Sequence, residues 1–284
     1  SPASVADASA SYDDITGLAS ATKYMLRAIY NGNENNVSET VELTTETEQQ
    51  VGNAGFEEWT TQEHKFTYLG NHNINWDLPW LDDNDKWWAV NSKKAMPSTS
   101  VVSANWNWVR FPTVAYTTDC HDGSRAAMVY SVNVGDWLTS TATVGDRIAG
   151  ELFLGTSNDS GDHSSDGHVF NSRPSLFRFH YKYLPKDSET FYVKIEIKDS
   201  NNEVIAVSEK TDGGASSDWS LLEFPLSYQD ISKKASNIYI TFKSTTASKP
   251  GVTGNYELTI RDNEKYTGNF GSILYVDNLE LIYE

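Results

Sequence analysis

Short runs in which apolar and polar residues alternate recur along the chain, and apolar spacings of three and four are scarce. Alternation places every second side chain on one face of an extended strand. The runs at 24–30, 37–44, 125–131, 176–183, 191–198, 204–208, 220–226, 237–243 and 273–282 therefore predict strands. Clusters of Gly, Asn, Asp and Ser separate them, as turns do in a sandwich. The fold class predicted is all-β, and the residues in excess of these runs are expected in loops, chiefly 60–120 and 156–170.

The stretch Thr44-Thr-Glu-Thr-Glu-Gln-Gln50 holds no apolar anchor and reads as a linker. It divides the chain into units 1–48 and 49–284. In the first, Leu18, Thr22 and Tyr24 stand where a fibronectin type III module has its tyrosine corner, and the segment resembles the last strands of such an immunoglobulin-like sandwich, hence a partial unit. The second opens Gly52-Asn-Ala-Gly-Phe-Glu-Glu-Trp59 and closes Tyr275-Val-Asp-Asn-Leu-Glu-Leu-Ile-Tyr283. These ends resemble the N-x-x-F-E and V-D-x-L-x-L signatures of jelly-roll carbohydrate-binding modules, whose first and last strands lie side by side. With the interior motifs 146–155, Phe170-Asn-Ser-Arg-Pro174, 179–185 and Asp218-Trp219, the unit resembles a carbohydrate-metabolism domain family of Bacteroidetes. That resemblance implies a large β-jelly roll carried by exported proteins, often behind an immunoglobulin-like domain.

Charge narrows the partners. Thirty-nine acidic residues against 22 basic ones give −17, which repels phosphate backbones and anionic lipid, so nucleic acid and membrane surfaces are not expected as partners. No apolar run is long enough to span a bilayer, so membrane insertion is not expected. The first residues lack a basic region followed by an apolar one, and an export signal is read as removed or never present. The expected setting is the cell surface, reached through a lipid anchor on a removed segment, or the periplasm. A single cysteine, Cys120, allows no intramolecular disulfide.

The composition turns chemical between residues 59 and 108, where seven of the nine tryptophans fall: Trp59, Trp76, Trp80, Trp87, Trp88, Trp106 and Trp108. Indole stacks on the C–H face of a pyranose and its N–H bonds a hydroxyl, and the amides and carboxylates around these residues bond hydroxyls in pairs. Trp76, Trp80, Trp87 and Trp88 are accordingly candidate glycan contacts. The resemblance adds Asn91, Arg173 and Tyr181 on the concave face, and it implies that Glu57 and Asp277 sit where related modules ligate a structural calcium. Asp159, Asp162 and Asp166 lack the spacing of a calcium loop. No G-x-S-x-G, H-E-x-x-H or phosphate loop occurs, and 191–198 is only a faint echo of the E-x-D-x-x-E hydrolase strand. The expectation is a non-catalytic, exported glycan-binding protein of a bacterial polysaccharide-utilisation system, working beside other surface proteins and holding an oligosaccharide on the concave face or in a loop-narrowed pocket of the jelly roll by aromatic stacking and Arg/Asn hydrogen bonds. The alternatives are a glycoside hydrolase or lyase with a carboxylate pair in the same pocket, and a structural surface or adhesin module whose tryptophans are buried.

Overall fold

The structure is a computed structural model that describes residues 15, 17–67, 70–82, 84–96, 111–133, 147–212 and 214–283. The strands among them, in chain order, are β1 (Lys23–Leu26), β2 (Val41–Thr44), β3 (Thr60–Thr67), β4 (Asn71–Leu78), β5 (Trp88–Val90), β6 (Val114–Thr117), β7 (Ala126–Asn133), β8 (Arg147–Ile148) and β9 (Glu151–Ser157). They continue with β10 (His163–Asp166), β11 (His168–Val169), β12 (Leu176–Leu184), β13 (Phe191–Lys198), β14 (Val204–Asp212), β15 (Ser216–Pro225), β16 (Asn237–Lys243), β17 (Thr253–Ile260) and β18 (Glu264–Ile282). The chain is all-β, with only two short 3-10 turns among the described residues.

Two sheets face each other. The first runs β10-β9-β16-β13-β14, with β5 joined to β9 and β11 to β16; the second runs β15-β12-β18-β7-β6, with β17 joined to β18 and β8 to β7. Strict alternation builds the interface: Phe191, Val193, Ile195 and Ile197 of β13 are fully buried, and Phe177, Phe179 and Tyr183 of β12 meet them from the opposite sheet. Each such side chain contributes about 1.5–3 kcal/mol on burial. In β7 all eight residues are buried, because the strand is covered twice. Ala127 and Val129 face the inter-sheet core, while Met128, Tyr130 and Val132 face a second cluster under the β17–β18 hairpin, formed with Leu258, Ile260 and Phe270.

Several sequence expectations change here. The 60–120 stretch is not all loop, since β3 and β4 pair as a hairpin in which Phe66, Ile74, Trp76 and Leu78 are buried. The apolar positions 74, 76 and 78 alternate correctly, but the polar side of both strands hides the signal. Likewise 156–170 contains the end of β9 with β10 and β11. The segment 51–59 lies against β18 without forming a strand, and the Leu279 N–H donates to the Ala54 carbonyl at 3.0 Å. The polar stretch before it is tethered by its side chains: Gln50 accepts the Leu281 N–H (2.9 Å) and donates to the Leu281 carbonyl (2.7 Å), and the Thr47 hydroxyl meets Ser172 at 2.9 Å. Upstream, β1 and β2 make a separate two-stranded sheet, and the Tyr24 hydroxyl accepts the Ala19 N–H at 2.8 Å.

Candidate functional site

Most of the residues expected to hold a glycan fill space or tie loops instead. Trp88 has no solvent exposure; it packs on Phe56 and Phe242 and its indole N–H donates to the Gly52 carbonyl at 2.9 Å. No ring face is left for a sugar. Trp76 is buried with the Lys93 ammonium 5.5 Å from its ring, and buried Trp87 is stacked by His168 at 3.7 Å. Trp80 is partly buried against the core beneath the Lys86 ammonium. Trp106 and Trp108 lie outside the described residues. Trp76 fills an inward position of β4 and Trp88 one of β5, so these indoles serve as core plugs.

Asn91 is a structural knot. Its amide donates to Ala149 (2.8 Å) and accepts the Thr113 hydroxyl (2.6 Å) and the Glu151 N–H (2.9 Å), joining the approaches to β6 and β9. Tyr181 points into the inter-sheet core against Phe191. Arg173 pairs with Glu46 at 2.9 Å and donates to the Ile231 carbonyl at 2.6 Å, which fastens the 44–50 stretch to the sandwich. The structure therefore does not bring these residues together.

Glu57 and Asp277 do converge, on the turn at 119–125. Their oxygens are already taken by N–H donors: Glu57 accepts from Ser124 and Arg125, Asp277 from His121 (2.7 Å) and Asp122 (3.1 Å). Burial pushes the Asp277 carboxyl up, and the N–H groups oppose it. Calcium asks for six to eight oxygens, whereas positive N–H dipoles crowd this centre, and among the described residues no group of three His, Cys, Asp or Glu is placed to hold a metal. The pair does not fit a calcium cage and instead holds the turn in place.

That turn borders a different aromatic group, on the outer face of the second sheet. Outward positions of β12, β15 and β18 present His180 and Lys182, Trp219, and Tyr275 side by side. The turn lays His121 flat on His180, with ring centroids 3.6 Å apart and planes 11° from parallel. Trp219 meets His121 and Tyr275 edge to face, and the Lys182 ammonium sits 5.0 Å from its ring, itself held by Asp119 at 2.5 Å. Two ring nitrogens, Trp219 Nε1 and His180 Nδ1, are enclosed with no hydrogen-bond partner. Burial, then His121, then Arg178 holds the His180 imidazole below its ordinary range, so it is neutral at pH 7. Burial pushes the Tyr275 phenol up to about 12. The chemistry on offer is recognition through the partly exposed ring surface. Asp218-Trp219 was visible in the sequence as a motif, but nothing marked its outward direction until the pairing of β15 with β12 was known.

Fold and site together define an all-β sandwich protein with an aromatic cluster on one outer sheet face. No family model matches the chain, and no curated protein matches it. Among solved structures it is similar to a Bacteroides thetaiotaomicron VPI-5482 protein named as a "putative glycoside hydrolase", at 15% identity over 86% of this chain and 75% of that one, with a TM-score of 0.48. A cyclase from Fischerella sp. TAU is similar at 10% identity over 84% and 99% of the two chains, TM-score 0.38. A carbohydrate-binding module of the β-sandwich superfamily is similar at 12% identity over 91% and 84%, TM-score 0.34. Among the described residues no helix is long and apolar enough to cross a membrane.

Proposed function

We propose that this chain is a non-catalytic glycan-binding module whose site is the Trp219 face of the second sheet. The observation that carries the reading is the partly exposed Trp219–Tyr275–His121–His180 ring cluster on the outer face of the second sheet. A pyranose lays its C–H face on exposed ring surface, and its hydroxyls find donors and acceptors at the edges. An exported setting, in the company of other polysaccharide-handling surface proteins, belongs to the same proposal. The test is a glycan-array screen of the native chain beside Trp219→Ala and Arg173→Ala. Saturable binding that is lost in the first variant and kept in the second supports the site.

A second reading, a structural surface module, is favoured by the burial of Trp76, Trp87 and Trp88. A folded chain that is silent across a broad array selects it.

A further inference from the structure

Resting on that reading of the Trp219 face, we infer that the glycan it takes is uncharged, and that uronic and sulfated polysaccharides are excluded by the carboxylates that surround the platform. The two described cations on this part of the sheet are both neutralised. Arg178 donates through Nε and Nη2 to Glu280 at 2.9 and 2.6 Å and lies 3.8 Å from Glu223, while Lys182 is held by Asp119. A free guanidinium or ammonium is what binds the carboxylate or sulfate of an acidic sugar most strongly. Here it meets Asp119, Glu223 and Glu280 at the surface and Asp277 and Glu57 just beneath. The Cys120 thiol in the bordering turn is held above its ordinary range by burial and then by the same carboxylates, Asp277, Glu57 and Asp119. His180 adds no positive charge at neutral pH, because the stacked arrangement and the enclosure of its Nδ1 keep that ring uncharged. The chain as a whole carries −17, so encounter with a polyanion is also opposed at long range. What remains is contact through ring faces and hydroxyls, which needs no charge on the ligand.

The experiment measures affinity of the native chain at pH 7.5 for mixed-linkage glucan, xylan and mannan, and for polygalacturonate, alginate and chondroitin sulfate, in low and high salt. We expect binding to a neutral polymer that changes less than about twofold with salt, weakens at least tenfold in Trp219→Ala, and has no acidic counterpart. The charge-silenced variant Asp119→Asn/Glu223→Gln/Glu280→Gln, which frees Lys182 and Arg178, is expected to gain measurable affinity for an acidic polymer. Binding of the native chain to an acidic polymer that is lost in Trp219→Ala overturns the charge inference and leaves the site standing. Failure of the silenced variant to gain acidic affinity while it still binds a neutral polymer also overturns it. Binding unaffected by Trp219→Ala, or no binding at all, overturns the site reading, and the inference falls with it. Because Trp219 is partly exposed, the variant is expected to fold; a Trp219→Phe chain, compared by melting temperature, guards against loss through misfolding.

Discussion

Replacing Arg261 by methionine removes the cation that answers the most deeply buried carboxylate described in this fold. Asp77 has no solvent exposure, and its oxygens accept from Arg261 Nε at 3.0 and 2.9 Å and from the Thr61 hydroxyl at 2.7 Å. The same guanidinium bonds Glu264 (2.5 Å), the Tyr266 hydroxyl (3.1 Å) and the Asn75 carbonyl (2.9 Å), tying the β3–β4 hairpin to the β17–β18 hairpin. Methionine is chosen because Arg261 has φ 51°, where a β-branched residue adds strain of its own. Taking one partner from a buried pair leaves a charge without compensation and costs about 3–5 kcal/mol; at roughly 2 °C per kcal/mol for a chain of this size, that is a fall of about 6–10 °C in Tm. The loss has a pH signature. Burial already raises the Asp77 carboxyl against the pull of Arg261, and without the cation it rises further. A group with a folded pKa above its unfolded one binds more protons in the folded state, so stability is retained at low pH and lost as pH rises through the folded value. Urea denaturation of native and variant at pH 5 and pH 8 is expected to show the larger deficit at pH 8, with Asp77→Asn recovering part of it in the double variant. A deficit below about 1 kcal/mol at pH 8, or one that grows toward acid, refutes the reasoning.

Trp88→Ala is expected to cost about 3–5 kcal/mol, as cavity-forming core truncations do, while any glycan affinity of the folded fraction stays native; selective loss of binding without loss of stability would return Trp88 to the site. His180 sits below its ordinary 6.5, so the stability it contributes is full above about pH 6.5 and declines as pH falls below, and His180→Phe is expected to flatten that limb of an acid titration followed by tryptophan fluorescence. Excess calcium and excess EDTA are expected to give the same Tm; a rise with calcium, which linkage requires of any ion held by the native state, would mean that the N–H groups now facing Glu57 and Asp277 yield to oxygen ligands.

Strands buried on one face were legible in the sequence because their period survives: β13 and β16 occupy the expected residues, and β12 differs by one. Where the outer face is also covered, or the polar side is long and charged, the period blurs, and β3, β6 and β17 were passed over for that reason. The site was harder to read. Tryptophan density is a property of composition, whereas exposure depends on which side of a sheet each position faces, and that is settled by register and bulges. The irregularity in β18 opposite positions 178–180 of β12 leaves Val276 and Leu279, three residues apart, both in the inter-sheet core, a change of phase no local pattern encodes. Arg173 and Asn91 are polar residues of the kind that recognise sugars, but their hydrogen bonds go to backbone and side-chain groups far away in sequence.

The nineteen-residue strand β18 is the joint of the second sheet, hydrogen-bonded to β17, β7 and β12 in turn. Every one of those partners precedes it in the chain. A ribosome or a translocation channel that delivers the polypeptide from the N-terminal side thus releases β7 and β12 long before the strand that belongs between them. Until residues 264–282 emerge, two apolar strands stand with open edges and no neighbour to close them, and the sheet assembles only after most of the chain has already appeared.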